Sequence, residues 1–298
     1  MNKVRRILVY VWRDQAAPQQ APFLQSVTGF FTDGGDDEVE VNCLLEKNQF
    51  ILSEGDRGHR IRLKRPSFCP IKHLSASESA VIPLDVEQRG VDVGVAVLLQ
   101  TVNQRVLLTQ RAKHLRIFPN VWVPPGGHLE PDETLLAAGL RELKEETGLK
   151  LKPKELSPKI LGLWESVFPA MLSRGLPQRH HIVVYMLLLS PLSHLHLQVS
   201  LKPSPAEVAS CVWVDSRLAK AIVSSVDGEE GAASVDGLPS SISVSHVSED
   251  GGLTDSLLPL EIFTNRVPFS GLDVERVSTG TKYALDLWLK SLDTCSDP

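Results

Sequence analysis

The chain has 298 residues, 42% of them hydrophobic, and a formal net charge of −5. That length suits one large domain or two small ones with a sizeable core. The negative balance argues against a protein that coats duplex DNA by bulk charge, although a local basic groove remains compatible with it.

Residues 1–86 read as short strands. ILVYVW, EVEVNCLL, FILS and HRIRLKR show alternating or β-branched character, and 32–38 (TDGGDDE) reads as a turn. The apolar run Ile7–Trp12 is short for a signal peptide and is closed by Arg13 and Asp14, so a strand is the better reading. This stretch is expected to be a small β-rich N-terminal extension without a chemical motif of its own.

Residues 88–218 hold the strongest signals. GVDVGVAVLLQ (90–100) and RVLLTQR (105–111) read as a hairpin, followed by a loop, the glycine-rich PPGG (124–127) and a long helix. ILGLWESVF (160–168), HIVVYMLLL (181–189) and ASCVWVD (209–215) supply further strands, so an α/β sandwich with a mixed sheet is expected. His180 and His181 begin a strand and His194 and His196 are read as alternating along one. With no cysteine nearby they do not suggest zinc. Residues 219–257 are Ser/Gly/Asp-rich and read as a low-complexity loop or insertion. Residues 258–298 recover, with Ala284, Leu285, Trp288, Leu289 and Leu292 at helical spacing. That last helix is expected to pack back on the 88–218 domain.

Four dispersed cysteines, Cys43, Cys69, Cys211 and Cys295, form no C-x-x-C pair. Reduced thiols in a cytosol-like compartment fit better than a zinc site or a disulfide framework. No stretch is long and apolar enough to span a membrane. The ending, residues 294–298, is not a peroxisomal S-K-L-like address. The expectation is a cytoplasmic protein, with the nucleus as a second compartment, that is not secreted.

The chemistry concentrates in Gly127–Leu149, GHLEPDETLLAAGLRELKEETGL. Pro131 and Asp132 are read as the helix start and Gly148 as its stop. At 100° per residue, Leu136, Leu140, Leu143 and Thr147 fall on one side, and Glu142, Glu145 and Glu146 fan across the other. A solvated face is the ordinary reading of such glutamates. Here two things strain it. Glu142 and Glu146 repel at i, i+4, and all three sit near the helix C-terminus, where the macrodipole disfavours carboxylates. Such a cluster invites a cation. All-oxygen ligands suit Mg²⁺ or Mn²⁺, which keep positions for water and phosphate. Ala138 and Gly139, one turn earlier, leave room either for a ligand or for a packed neighbour.

These residues resemble the Nudix hydrolases, whose box reads G-x5-E-x7-R-E-U-x-E-E-x-G-U with U a bulky apolar residue. Gly127, Glu133, Arg141, Glu142, Leu143, Glu145, Glu146, Gly148 and Leu149 match it without departure. The resemblance implies a Nudix-type α/β/α sandwich and a pyrophosphohydrolase with Mg²⁺ or Mn²⁺. It implies metal ligation by Glu142, Glu145 and Glu146, with Glu145 as base. An ion pair between Arg141 and Glu133 and turns at Gly127 and Gly148 would shape the box. The family often adds an acidic residue from elsewhere, for which Glu207 and Glu165 are the candidates. Arg111 and Arg116 are candidate phosphate contacts.

Along its whole length the chain is similar to members of that family classed as hydrolases of the methylated messenger-RNA cap. A nucleotide-type substrate, such as capped RNA, would follow. A cap pocket needs aromatic stacking for the cationic base, for which Trp164, beside Glu165, is the candidate. Two alternatives stay open. LLTQRAKHLR before VPPGG partly resembles a coenzyme A diphosphatase signature, departing at Ala112 and Pro124. The fold could also serve as a non-catalytic binding module, against which the intact glutamate set argues. The leaving group and the oligomeric state are left open.

Overall fold

The structure is a computed structural model that describes residues 6–13, 17–32, 35–229 and 233–293. The expected turn at 32–38 lies outside the described residues at 33 and 34, as do Cys295 and the rest of 294–298.

In chain order the strands are β1 (Leu8–Trp12), β2 (Gln19–Gln20), β3 (Glu38–Glu46), β4 (Gln49–Ser53), β5 (His59–Lys64), β6 (Asp92–Gln100), β7 (Val106–Arg111) and β8 (Val121–Val123). They continue with β9 (Gly126–His128), β10 (Ser157–Phe168), β11 (Arg179–Leu189), β12 (Val208–Val214), β13 (Ser241–Val247), β14 (Leu253–Pro259) and β15 (Arg276–Val277). The helices are α1 (Val27–Phe31), α2 (Pro70–His73), α3 (Ala76–Ser79), α4 (Leu84–Glu87), α5 (Leu135–Thr147), α6 (His194–Ser200), α7 (Ser216–Ser224), α8 (Leu260–Thr264) and α9 (Thr279–Asp293). The mixed α/β class expected from the strand and helix patterns is what forms.

The chain divides into two compact units. The first comprises residues 1–95, 127–138 and 162–185, and the second 96–126, 139–161 and 186–298. In the first, the strand order is β6-β11-β10-β5-β3-β4-β1. Strand β1 also pairs with β6 at Leu8 and Asp92, which joins the two ends of this order into a ring, and β2 adds to β1 at Tyr10 and Val11. The parallel register of β10 on β5, Leu163 to Leu63, ties the N-terminal strands to the later chain. Strands β1, β3, β4 and β5 thus share one sheet with β10 and β11 in the first unit. Val9, Val41, Phe50, Leu52, Leu63, Val93, Leu163 and Ile182 are all buried in this unit.

In the second unit the order runs β14-β13-β12-β7-β6-β11, with β8 on β7 and β15 on β8. The antiparallel register of β12 on β7 shifts between Val208 and Ser210, an irregularity of the kind that re-aims side chains next to sites. Helix α9 buries Ala284, Leu285 and Trp288, as its spacing predicts. Trp288 Nε1 donates to Gln100 Oε1 at 2.7 Å. Buried Lys282 donates to Asp227 Oδ1 at 2.8 Å, Ser225 O at 2.7 Å and Asn265 O at 3.1 Å. The Trp288 bond ties α9 to the end of β6, and the Lys282 bonds tie it to the segments around Asp227 and Asn265.

Three local expectations are corrected. Residues 219–257 are not a featureless loop: Asp215 caps α7 through its side chain, and β13 and β14 pair over seven residues from Ser241↔Pro259 to Val247↔Leu253. The period-two signal in ISVSHV is diluted by the surrounding serines and glycines. His194 and His196 lie in a helix, because Ser193 caps it by accepting from the His196 N–H. The box helix starts at Leu135, not at Pro131. Asp132 has φ +66°, held by the Asn48 Oδ1 that accepts its N–H at 2.7 Å. Thr134 Oγ1 accepts from the Ala137 N–H at 3.1 Å and caps the helix.

Candidate active site

Helix α5 carries the three box glutamates in its last two turns, within the second unit. The end of the helix is built as the sequence predicts. Gly148 adopts φ +74°, its N–H donates to Lys144 O at 2.9 Å, and a Cβ there would meet Lys202 Cβ at 2.8 Å and Lys202 O at 2.9 Å. Two of the helix's last carbonyls are satisfied by the chain at 202–204. Lys202 N–H donates to Thr147 O at 2.8 Å and Ser204 N–H to Glu146 O at 3.0 Å. This clamp places the residues leading to Glu207 against the end of the box helix.

Strand β7 approaches the same place. Ala112 N–H donates to Glu207 O at 2.8 Å, and His114 Nε2 lies 3.0 Å from Ala206 O. Arg111, the last residue of β7, turns into this corner. Its Nε donates to the carbonyls of Ile117 and Phe118, both at 3.2 Å. Burial lowers the basicity of its guanidinium, while Glu146 and Glu207 act to raise it.

The three glutamates occupy three different environments. Glu145 is half exposed, at 54% of its side chain. Glu142 is mostly covered; burial raises its carboxyl above the usual range, Arg141 pulls it back, and Glu145 and Glu207 push it up. Arg141 Nη1 donates to Glu142 Oε1 at 2.7 Å and to Glu145 Oε2 at 3.2 Å. Glu146 is buried, only 6% exposed. Burial pushes its carboxyl up, Arg111 pulls it down, Glu142 and Glu207 raise it further, and the Gly126 N–H lowers it, leaving it at about 8. That N–H lies 3.3 Å from Glu146 Oε2. Its charge even reaches Cys211 on β12, whose thiol burial and Glu146 together push to about 12.

This donor set fits a hard divalent cation: oxygen ligands only, in part buried, and mutually repulsive. Among the described residues no three His, Cys, Asp or Glu side chains already converge as a ready metal cage. Arg141 bridges two of the glutamates instead, and Arg111 faces the third. The two arginines supply the counter-charge at this pole.

The remaining expected residues separate. Glu207 is exposed and close enough to act electrostatically on Glu142, Glu146 and Arg111. Arg116 is exposed in the loop after β7. Glu133 accepts from the Glu130 N–H at 3.2 Å in the turn before the helix. Glu165 is corrected: it is wholly buried in the first unit. It accepts from Ser26 Oγ at 3.0 Å, from the N–H groups of Val27 and Thr28 at 2.8 Å each, and lies 3.0 Å from His180 Nε2. Burial raises this carboxyl, but the hydrogen bond and charge of His180 and the bonds from Thr28 outweigh it and hold it at about 2. Trp164 is corrected too, since it is 5% exposed and belongs to the core of that unit. Neither offers a face to a base. The role of Arg111 beside Glu146 leaves no mark in the sequence beyond an arginine at a strand end.

The chain matches the NUDIX domain over residues 89–227. It is 58% identical over 298 residues to the m7GpppN-mRNA hydrolase NUDT17 of Danio rerio, covering 100% of this chain and 99% of that protein. The protein of the same description from Xenopus laevis is 50% identical over 300 residues, covering 100% and 99%. That from Homo sapiens is 42% identical over 290 residues, covering 94% and 87%.

Proposed function

The chain belongs to the Nudix hydrolase family, and from that premise we propose that it hydrolyses the 7-methylguanosine cap of messenger RNA, releasing 7-methyl-GDP. The observation that carries this reading is the end-to-end likeness to relatives named as m7GpppN-mRNA hydrolases, at 58% identity in the first of them. A shared domain fold alone would need only residues 89–227; here the N-terminal strands and the late helix are shared as well.

The residues divide the work according to their environments. Glu142 and Glu146 would hold Mg²⁺ or Mn²⁺, together with Glu145 and with Glu207 from the clamped loop. When bound, the ion lowers the pKa of water, polarises the phosphoryl oxygens and neutralises the leaving charge. Glu145, half exposed, is the side chain of the three that water reaches most easily, and it takes the proton from the water that attacks the P-O-P linkage. Arg111 and Arg116 meet substrate phosphates. Arg141 holds Glu142 and Glu145 in place through its Nη1. An mRNA substrate and the free, buried Cys43, Cys69 and Cys211 suit a cytoplasmic or nuclear compartment.

The test is hydrolysis of RNA labelled in the cap, with Mg²⁺, with Mn²⁺ and with chelator, the product identified chromatographically. Coenzyme A, ADP-ribose and NADH are run in parallel. Release of 7-methyl-GDP with either ion and none with chelator is expected. Turnover of coenzyme A alone would overturn the substrate while leaving the fold intact.

A further inference from the structure

A protein with a net charge of −5 repels an RNA chain at long range, so the body of a capped transcript needs a local basic track. One such track leaves the end of the box helix. Between Gly148 and Leu161 the chain holds four lysines, Lys150, Lys152, Lys154 and Lys159, against one acidic residue, Glu155. All four lysines are exposed. Only Lys152 has an acidic partner within ion-pair distance, Glu155 at 3.0 Å, and both of those side chains are more than half exposed. Among the described residues Lys150, Lys154 and Lys159 make no ion pair, and three ammonium groups therefore face solvent unneutralised.

The track is ordered. Leu156 is buried and anchors it. A 3-10 turn spans Pro153–Glu155, with Glu155 N–H donating to Lys152 O at 2.9 Å. Pro153 and Pro158 restrict the backbone on either side. Ordering of this kind lowers the entropy cost of binding a ligand. The track also starts where the chemistry ends: Lys150 is four residues beyond Glu146, past the turn at Gly148, in the same unit.

We propose that Lys150, Lys152, Lys154 and Lys159 form a binding track for the phosphodiester backbone of single-stranded RNA, engaging the transcript downstream of its cap. This rests on the capped-RNA reading of the site. It assigns the four lysines affinity for the RNA body and no part in bond cleavage. As point charges on phosphates they should act without regard to base sequence.

The test compares the full chain with the variant Lys150→Gln/Lys152→Gln/Lys154→Gln/Lys159→Gln. The first measurement is anisotropy of a labelled, uncapped oligoribonucleotide across roughly 50 to 200 mM salt. The variant should bind about tenfold or more weakly at the low-salt end. Its slope of log affinity against log salt should be shallower by about 0.7 for each phosphate that is no longer neutralised, or about 3 for all four. The second measurement is hydrolysis of the cap dinucleotide m7GpppG, whose kcat/KM should be equal in the two proteins. Equal RNA affinity and equal salt slope would overturn the track. A drop in m7GpppG turnover as large as the drop in RNA binding would overturn it too, since the lysines would then act at the reacting end. Absence of m7GpppG turnover in the parent would sink the cap reading by itself, and the binding comparison would still decide whether the lysines hold RNA.

Discussion

Replacing Glu146 with Gln should stabilise the metal-free protein at alkaline pH and leave it unchanged in mild acid. The Glu146 carboxyl sits at about 8 against 4.5 for an ordinary glutamate. At 1.36 kcal/mol per pH unit that displacement of about 3.5 amounts to about 5 kcal/mol. The sign follows from proton counting. Between about pH 4.5 and about pH 8 the folded chain keeps this proton while the unfolded chain has released it, so stability falls as pH rises through that window. Gln is isosteric and neutral, and its carbonyl oxygen can still accept from the Gly126 N–H. The variant therefore lacks this slope. At about pH 5 the two proteins should unfold at nearly the same denaturant concentration, and at about pH 9 the variant should be more stable by about 2 to 5 kcal/mol. The assay is urea unfolding of chelator-treated protein followed by tryptophan fluorescence, since Trp122, Trp213 and Trp288 lie in the same unit as Glu146. Millimolar Mg²⁺ should close the gap at high pH by stabilising the parent alone. Parallel pH profiles for parent and variant would refute the assignment of Glu146 as a buried carboxylate held ready for a cation.

Glu145→Gln should lower kcat on capped RNA by about 10²–10⁴-fold with little change in thermal stability, given a half-exposed side chain; turnover equal to the parent would remove Glu145 as the base. Glu165→Gln should destabilise the fold by about 3 kcal/mol, because His180 is then left without its buried carboxylate. Because the Glu165 carboxyl is held at about 2, the parent's stability should also decline as pH falls from about 4.5 towards about 2, a decline that thermal melts of the variant should lack. Gly148→Ala forces a side chain into φ +74° and against Lys202, and should cost about 1–3 kcal/mol in urea unfolding; a neutral result would mean that the 202–204 clamp yields freely.

The spacing in Gly127–Leu149 is sufficient to single out a candidate site, because a carboxylate cluster at the end of a helix is locally unfavourable and a cation would relieve it. Strand positions are likewise legible where apolar and polar residues alternate, as at the EVEV start of β3, or where a short apolar run stands between turn signals, as in β7 and β12. The start of α5 is not, because Pro131 and Asp132 look like a first turn; a hydrogen bond from Asn48, 84 residues away, holds Asp132 left-handed instead. The hairpin of β13 and β14 escapes a reading of the sequence because serine-rich strands carry little hydrophobic contrast.

The box helix, its stop at Gly148 and the three glutamates at i, i+3 and i+4 follow from residue order alone. What each glutamate is follows from folding. Folding buries Glu146 beside Arg111, leaves Glu145 in water, brings Glu207 in on the 202–207 loop and sends Glu165 and Trp164 into the core of the other unit. The reason is physical: helical and strand periods report which residues share a face, but which polar face is covered, and by which charge, is set by chain segments far away in sequence.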